Sequence, residues 1–205
     1  MNALPRAVVA LLALLFITPA WGQTPAVDDI LTALRGGGYV IVVRHGATNS
    51  DQADTDPLNP ENVTKQRHLN DKGRAQAKAV GEVFKAAGVP IGKAYSSRFQ
   101  RAVDTARLIG GKEPHALLDV TEGGLVVSPK ENNRRAQAFR TLASTPPDAG
   151  TNTLIVTHKP NIFDAFGKDW FEIREGEASI FKPDGAGKYQ LIGRVQIDDW
   201  EKAKR

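Results

Sequence analysis

Two short runs of consecutive apolar residues limit what this chain can become. Tyr39-Val40-Ile41-Val42-Val43 and Thr153-Leu154-Ile155-Val156-Thr157 are unbroken rather than alternating, the pattern of strands covered on both faces. Strands of that kind pair in parallel, and parallel pairs need crossovers, usually helices. The rest of the sequence supplies them. Apolar residues at helical spacing occupy 27–34, closed by Gly36-Gly37-Gly38. A second helix, capped by Asn70, turns Ala75, Ala79, Val80 and Val83 inward and stops at Gly88. Further helices are read over 98–109, over 131–143 before Pro146-Pro147, and over 161–166. Shorter strands fit 93–95 and 117–120, and a terminal hairpin joins 178–181 to 190–197 around a turn at 184–187. The pattern is that of one α/β domain, and 205 residues suffice for its core.

The first 22 residues are set apart from that domain. One positive charge, at Arg6, precedes an apolar run over 7–17; Thr18-Pro19 breaks it, and Ala20-Trp21-Gly22 offers small residues at the −3 and −1 positions of a cleavage site. This is the layout of a secretory signal peptide, too short to span a bilayer stably. The chain therefore divides into a leader, 1–22, and a domain, 23–205, expected in the periplasm or outside the cell with no stable membrane insertion. Cysteine is absent, which removes disulfides, thiolate metal sites and a lipoprotein anchor. A net charge of +4, with both signs interspersed, is no nucleic-acid footprint.

Both apolar runs end in a histidine: the first leads into Arg44-His45-Gly46, the second into His158. Ligands of open α/β sheets bind beyond the carboxyl ends of the strands, so both histidines are expected at one crevice. Arg44 adds a guanidinium fork suited to phosphate oxygens, and Gly46 allows close backbone approach. Ser96-Ser97-Arg98, read as the opening of a helix, places a second arginine where anions bind. Histidines and arginines around one anion pocket point to phosphoryl transfer through a nucleophilic imidazole.

In these residues the chain resembles the histidine phosphatase superfamily, the phosphoglycerate mutase-like proteins. Four segments match in the family's order: Val42-Val43-Arg44-His45-Gly46-Ala47-Thr48-Asn49, Leu69-Asn70-Asp71-Lys72-Gly73-Arg74-Ala75-Gln76-Ala77, Tyr95-Ser96-Ser97-Arg98-Phe99-Gln100-Arg101-Ala102-Val103-Asp104-Thr105-Ala106 and Ile155-Val156-Thr157-His158. The resemblance implies a three-layer α/β/α sandwich with a mostly parallel sheet, no cofactor and no metal. It makes His45 the residue that becomes phosphohistidine, and Arg44, Arg98 and His158 the rest of the phosphate pocket. It makes Glu122 the proton donor of the family's first branch. The second branch's donor, an aspartate after the second histidine, is replaced here by Lys159. Asn49 and Lys159 are expected to touch substrate.

The expected activity is hydrolysis of a small or envelope-linked phosphate monoester; a phosphomutase, a phosphohistidine-protein phosphatase and a non-catalytic phospho-ligand-binding protein are the alternatives. Export counts against the mutase and the protein phosphatase. Arg101 is read as a solvated helix face or ion-pair partner, Arg134 and Arg135 as a solvated face, and His68 and His115 as surface residues. Asp51, Asp54 and Asp56 lack an EF-hand's Gly and Glu and are read as solvated. The polar stretch 49–66 is read as a long loop walling the substrate site, of a length often found in lids.

Overall fold

The computed structural model describes residues 25–123 and 126–203; the leader read over 1–22 lies outside them. The elements run α1 (Val27–Arg35), β1 (Val40–Arg44), α2 (Asp71–Ala87), β2 (Ile91–Ser96), α3 (Gln100–Gly110), β3 (His115–Ala116), α4 (Pro129–Ser144), β4 (Asn152–Thr157), α5 (Lys159–Phe166), β5 (Ala178–Pro183) and β6 (Tyr189–Val195). The strands form one sheet in the order β3-β2-β4-β1-β5-β6. β3, β2, β4 and β1 are mutually parallel, and β5 runs against both β1 and β6.

The unbroken apolar runs are central because both of their faces are covered. On β1, Ile41 and Val43 point to one side and Val40 and Val42 to the other, and β4 splits Leu154 and Val156 from Ile155 in the same way. The first side packs against Ile30 and Leu34 of α1, Val80 and Phe84 of α2, and Ala102, Ala106 and Ile109 of α3. The second packs against Phe139 of α4, Ile162 and Ala165 of α5, and Trp170. The result is the expected three-layer α/β/α sandwich with a mostly parallel sheet. Each buried aliphatic side chain contributes about 1.5–3 kcal/mol.

Two expectations are corrected. Residues 117–120 are not a strand: Leu118–Val120 form a 3-10 turn. Thr121 closes it, its hydroxyl bonding the Leu117 carbonyl at 2.7 Å and its N–H the Leu118 carbonyl at 2.9 Å, so side-chain-to-backbone bonding replaces a ladder. The helix read from residue 98 begins instead at Gln100, with Phe99 extended before it.

Candidate active site

Three strand ends meet at the carboxyl edge of the sheet. The His45 N–H donates to the Thr157 carbonyl and the Ser97 N–H to the Val156 carbonyl, each at 2.9 Å. The segments leaving β1, β2 and β4 are thereby stitched side by side. His45 and His158 face each other edge-on, ring centroids 5.1 Å apart, and are only 2% and 1% exposed.

The hydrogen bonds of His45 orient its ring. Nδ1 lies 2.8 Å from the Gly46 carbonyl oxygen, which can only accept, so Nδ1 carries the proton. Burial, followed by the charge of Arg101, lowers the His45 pKa to about 3, with Arg44 and Arg67 acting in the same direction. At neutral pH the ring is therefore uncharged, with the lone pair on Nε2. His158 is also held neutral, first by burial and then by Arg101. Its Nε2 lies 2.7 Å from Ser97 Oγ, which already accepts from the Phe99 N–H. A hydroxyl can donate to or accept from that nitrogen; the Glu122 Oε2 acceptor 3.4 Å from Nδ1 is the contact that favours the ring proton on Nδ1, with Ser97 then donating to Nε2.

Guanidinium groups surround the imidazoles. Arg44 Nη1 donates to the Ile173 carbonyl at 2.8 Å, and Nη2 lies 3.6 Å from Glu175. Arg101 has no exposed surface. Its Nη1 bonds Asp54 Oδ1 at 2.9 Å, its Nη2 bonds Glu122 Oε2 at 3.2 Å, and its Cζ lies 4.5 Å above the Phe99 ring. Arg67, in the loop before α2, is the third cation acting on both histidines. The Nε groups of all three arginines and Nδ1 of His158 are buried without a hydrogen-bond partner among the described residues. Leaving such donors unpaired costs about 1–3 kcal/mol each, so the cluster is held at a cost around the two imidazoles.

Arg44, His45, Glu122 and His158 are brought together; Arg98 is not. Ser97 and Phe99 turn inward, 0% and 3% exposed, while Arg98 between them faces outward and is exposed. Arg101, in the first turn of α3, supplies the second guanidinium instead. It is the ion-pair partner that sequence allowed but not a solvated one. Arg135 is corrected as well: it is buried and bonds the Thr121 carbonyl at 3.2 Å, beside Glu122. Asn49 donates to Gln52 at 3.4 Å and the Lys159 ammonium lies 4.7 Å over the Phe171 ring, so both side chains are engaged with neighbours other than the imidazoles. Arg67 carried no motif in sequence; its one signal was a position just before the capped helix.

The loop 49–66 is pinned. Thr48 and Leu69 bridge its base, Gln66 accepts from the Gln100 N–H at 2.7 Å, and Asp54 holds both Arg101 and the Arg67 N–H at 2.9 Å. Asp54 is therefore no solvated carboxylate but part of the wall around Arg101.

Known proteins share this fold. The family model of the histidine phosphatase superfamily, branch 1, matches residues 40–125, a stretch that includes Arg44, His45, Arg67, Arg101 and Glu122. Among solved structures, the protein histidine phosphatase SixA complexed with tungstate is 19% identical with a TM-score of 0.56, over 78% of this chain and 98% of that one. Phosphoserine phosphatase from Entamoeba histolytica, in complex with 3-phosphoglyceric acid, is 18% identical with a TM-score of 0.55, over 79% and 98%. A mycobacterial glucosyl-3-phosphoglycerate phosphatase with inorganic phosphate is 16% identical with a TM-score of 0.50, over 78% and 99%. The chain has the phosphoglycerate mutase-like phosphatase fold of these structures. No curated protein matches the sequence.

Proposed function

We propose that this protein is a histidine phosphatase that hydrolyses phosphate monoesters through a phosphohistidine on His45. The observation that carries the reading is the His45 ring itself. It is neutral, its proton is fixed on Nδ1 by the Gly46 carbonyl, which leaves the lone pair on Nε2, and the charges of Arg101, Arg44 and Arg67 act on it. In the first half-reaction Nε2 attacks phosphorus while Arg44, Arg67, Arg101 and His158 Nδ1–H hold the equatorial oxygens. Glu122 gives its proton to the departing ester oxygen. In the second half Glu122, now a carboxylate, takes a proton from water as that water attacks phosphorus. The P–N bond breaks and the neutral ring returns. These steps place no metal between the imidazole and phosphorus.

The family match and the phosphatases among the structural relatives support this activity. The ligands of those relatives, tungstate, phosphate and a phosphorylated small acid, favour a small phosphate ester as substrate. The composition of 1–22 favours action outside the cytoplasm, on a soluble or envelope-linked ester. The test is hydrolysis of p-nitrophenyl phosphate in the presence of a chelator. The wild type turns over and His45→Ala falls by roughly 10³-fold or more. A wild type that binds vanadate but hydrolyses no ester would instead make the protein a phospho-ligand binder.

A further inference from the structure

Arg101 is a permanent cation with no exposed surface, and two carboxylates share it: Asp54 Oδ1 at 2.9 Å from Nη1 and Glu122 Oε2 at 3.2 Å from Nη2. A buried guanidinium cannot lose its proton and is costly without a counter-charge. If Glu122 were its sole partner, every arrival of a proton on Glu122 would strand that cation. We infer that Asp54 is the standing counter-ion of Arg101, a positioning residue that leaves Glu122 at liberty to gain and lose a proton during turnover. This rests on the reading of Glu122 as proton donor.

The groups around Glu122 make Asp54 the one suited to this role. Arg101 faces it from α3, His158 from the end of β4, and Arg44 acts on it from the end of β1. His158 is neutral and offers no compensation. Arg44 lies beside its own carboxylate, Glu175, at 3.6 Å. Among the described residues, Asp54 is the carboxylate besides Glu122 that binds Arg101, on Nη1 where Glu122 takes Nη2, and its Oδ1 is fixed there by the Arg67 N–H at 2.9 Å. The charges then balance through the cycle. With Glu122 protonated, Asp54 neutralises Arg101. Once the proton has left with the ester oxygen, the new Glu122 carboxylate remains beside the same guanidinium until water restores the proton.

Removing the Asp54 charge leaves Glu122 as the one carboxylate on Arg101 among the described residues and deletes a nearby like charge, both of which favour the ionised form of Glu122. The experiment measures kcat/KM against pH for p-nitrophenyl phosphate, whose leaving group departs as an anion, and for glycerol 2-phosphate, whose alkoxide needs a proton. Wild type, Asp54→Asn, Asp54→Glu and Glu122→Gln are compared. In Asp54→Asn the limb on which alkyl-ester activity falls with rising pH moves about one pH unit lower. The aryl-to-alkyl ratio at pH 7 rises about tenfold, and Asp54→Glu restores both. The limb and the ratio are independent of how much protein is folded. Equal losses on both substrates with the limb in place would reduce Asp54 to a loop tether and overturn the inference. Alkyl-ester turnover unchanged in Glu122→Gln would instead remove the proton donor itself, a separate failure.

Discussion

Arg98 and Arg101 are three positions apart, yet the fold sends them to opposite surroundings. Arg98 sits between two inward-turning residues and is exposed. Arg101 is buried against Phe99 and joined to Asp54 and Glu122. Arg101→Ala is expected to lower kcat/KM on p-nitrophenyl phosphate by roughly 10²–10³-fold, the loss of one transition-state charge contact. Arg98→Ala is expected to stay within about threefold of wild type. Steady-state kinetics on the two variants check this, and the reverse ranking would return the pocket to Arg98. His45 and His158 were legible in the sequence because each ends a short, β-branched apolar run typical of a strand buried on both faces. Arg101 was not, because apolar periodicity marks only the apolar face of α3. One turn along the helix, Thr105 accepts from the Gly46 N–H at 3.0 Å and donates to the Arg101 carbonyl at 2.7 Å. That polar face looks like solvent exposure until the loop it meets is known.

At the scale of elements, the loop after β1 is seated on the first turn of α2. Asn70 caps that helix by accepting from the Gly73 N–H at 2.8 Å and donates to the Thr48 carbonyl at 2.9 Å. The two backbones meet at a pair of glycines. A Cβ on Gly73 would come within 2.2 Å of the Ala47 carbonyl oxygen, and one on Gly46 within 3.1 Å of the Gly73 carbonyl oxygen. Gly46 thus serves helix packing, a purpose sequence could not distinguish from closeness to a ligand. Gly73→Ala must push the His45 loop away from α2. It is expected to cost about 1–3 kcal/mol, several degrees in Tm, with a larger fractional loss of kcat than of folded protein. Thermal unfolding alongside kinetics checks it; an unchanged Tm would contradict the contact. The loop 49–66 was legible as a loop, but its anchoring was not, since Asp54 and Gln66 have the same composition whether solvated or bonded.

For the whole molecule, the alternation of strands and helices was enough to give the sandwich, and the terminal hairpin appears as β5 and β6. The order of strands was not legible. β4 enters between β1 and β2 although α2, β2, α3, β3 and α4 separate it from β1 in sequence, and such long-range pairing leaves no local mark. That insertion is what sets His158 beside His45 and gives the site its chemistry. The central claim is that phosphate passes through Nε2 of His45. Rapid acid-free quenching of the enzyme with radiolabelled substrate, followed by peptide mapping and phosphorus NMR, tests it directly. The expected product is an acid-labile, base-stable phosphoryl group on Nε2 of His45, absent from His45→Ala. Turnover with the label on Nδ1, on His158, or on no residue would contradict it.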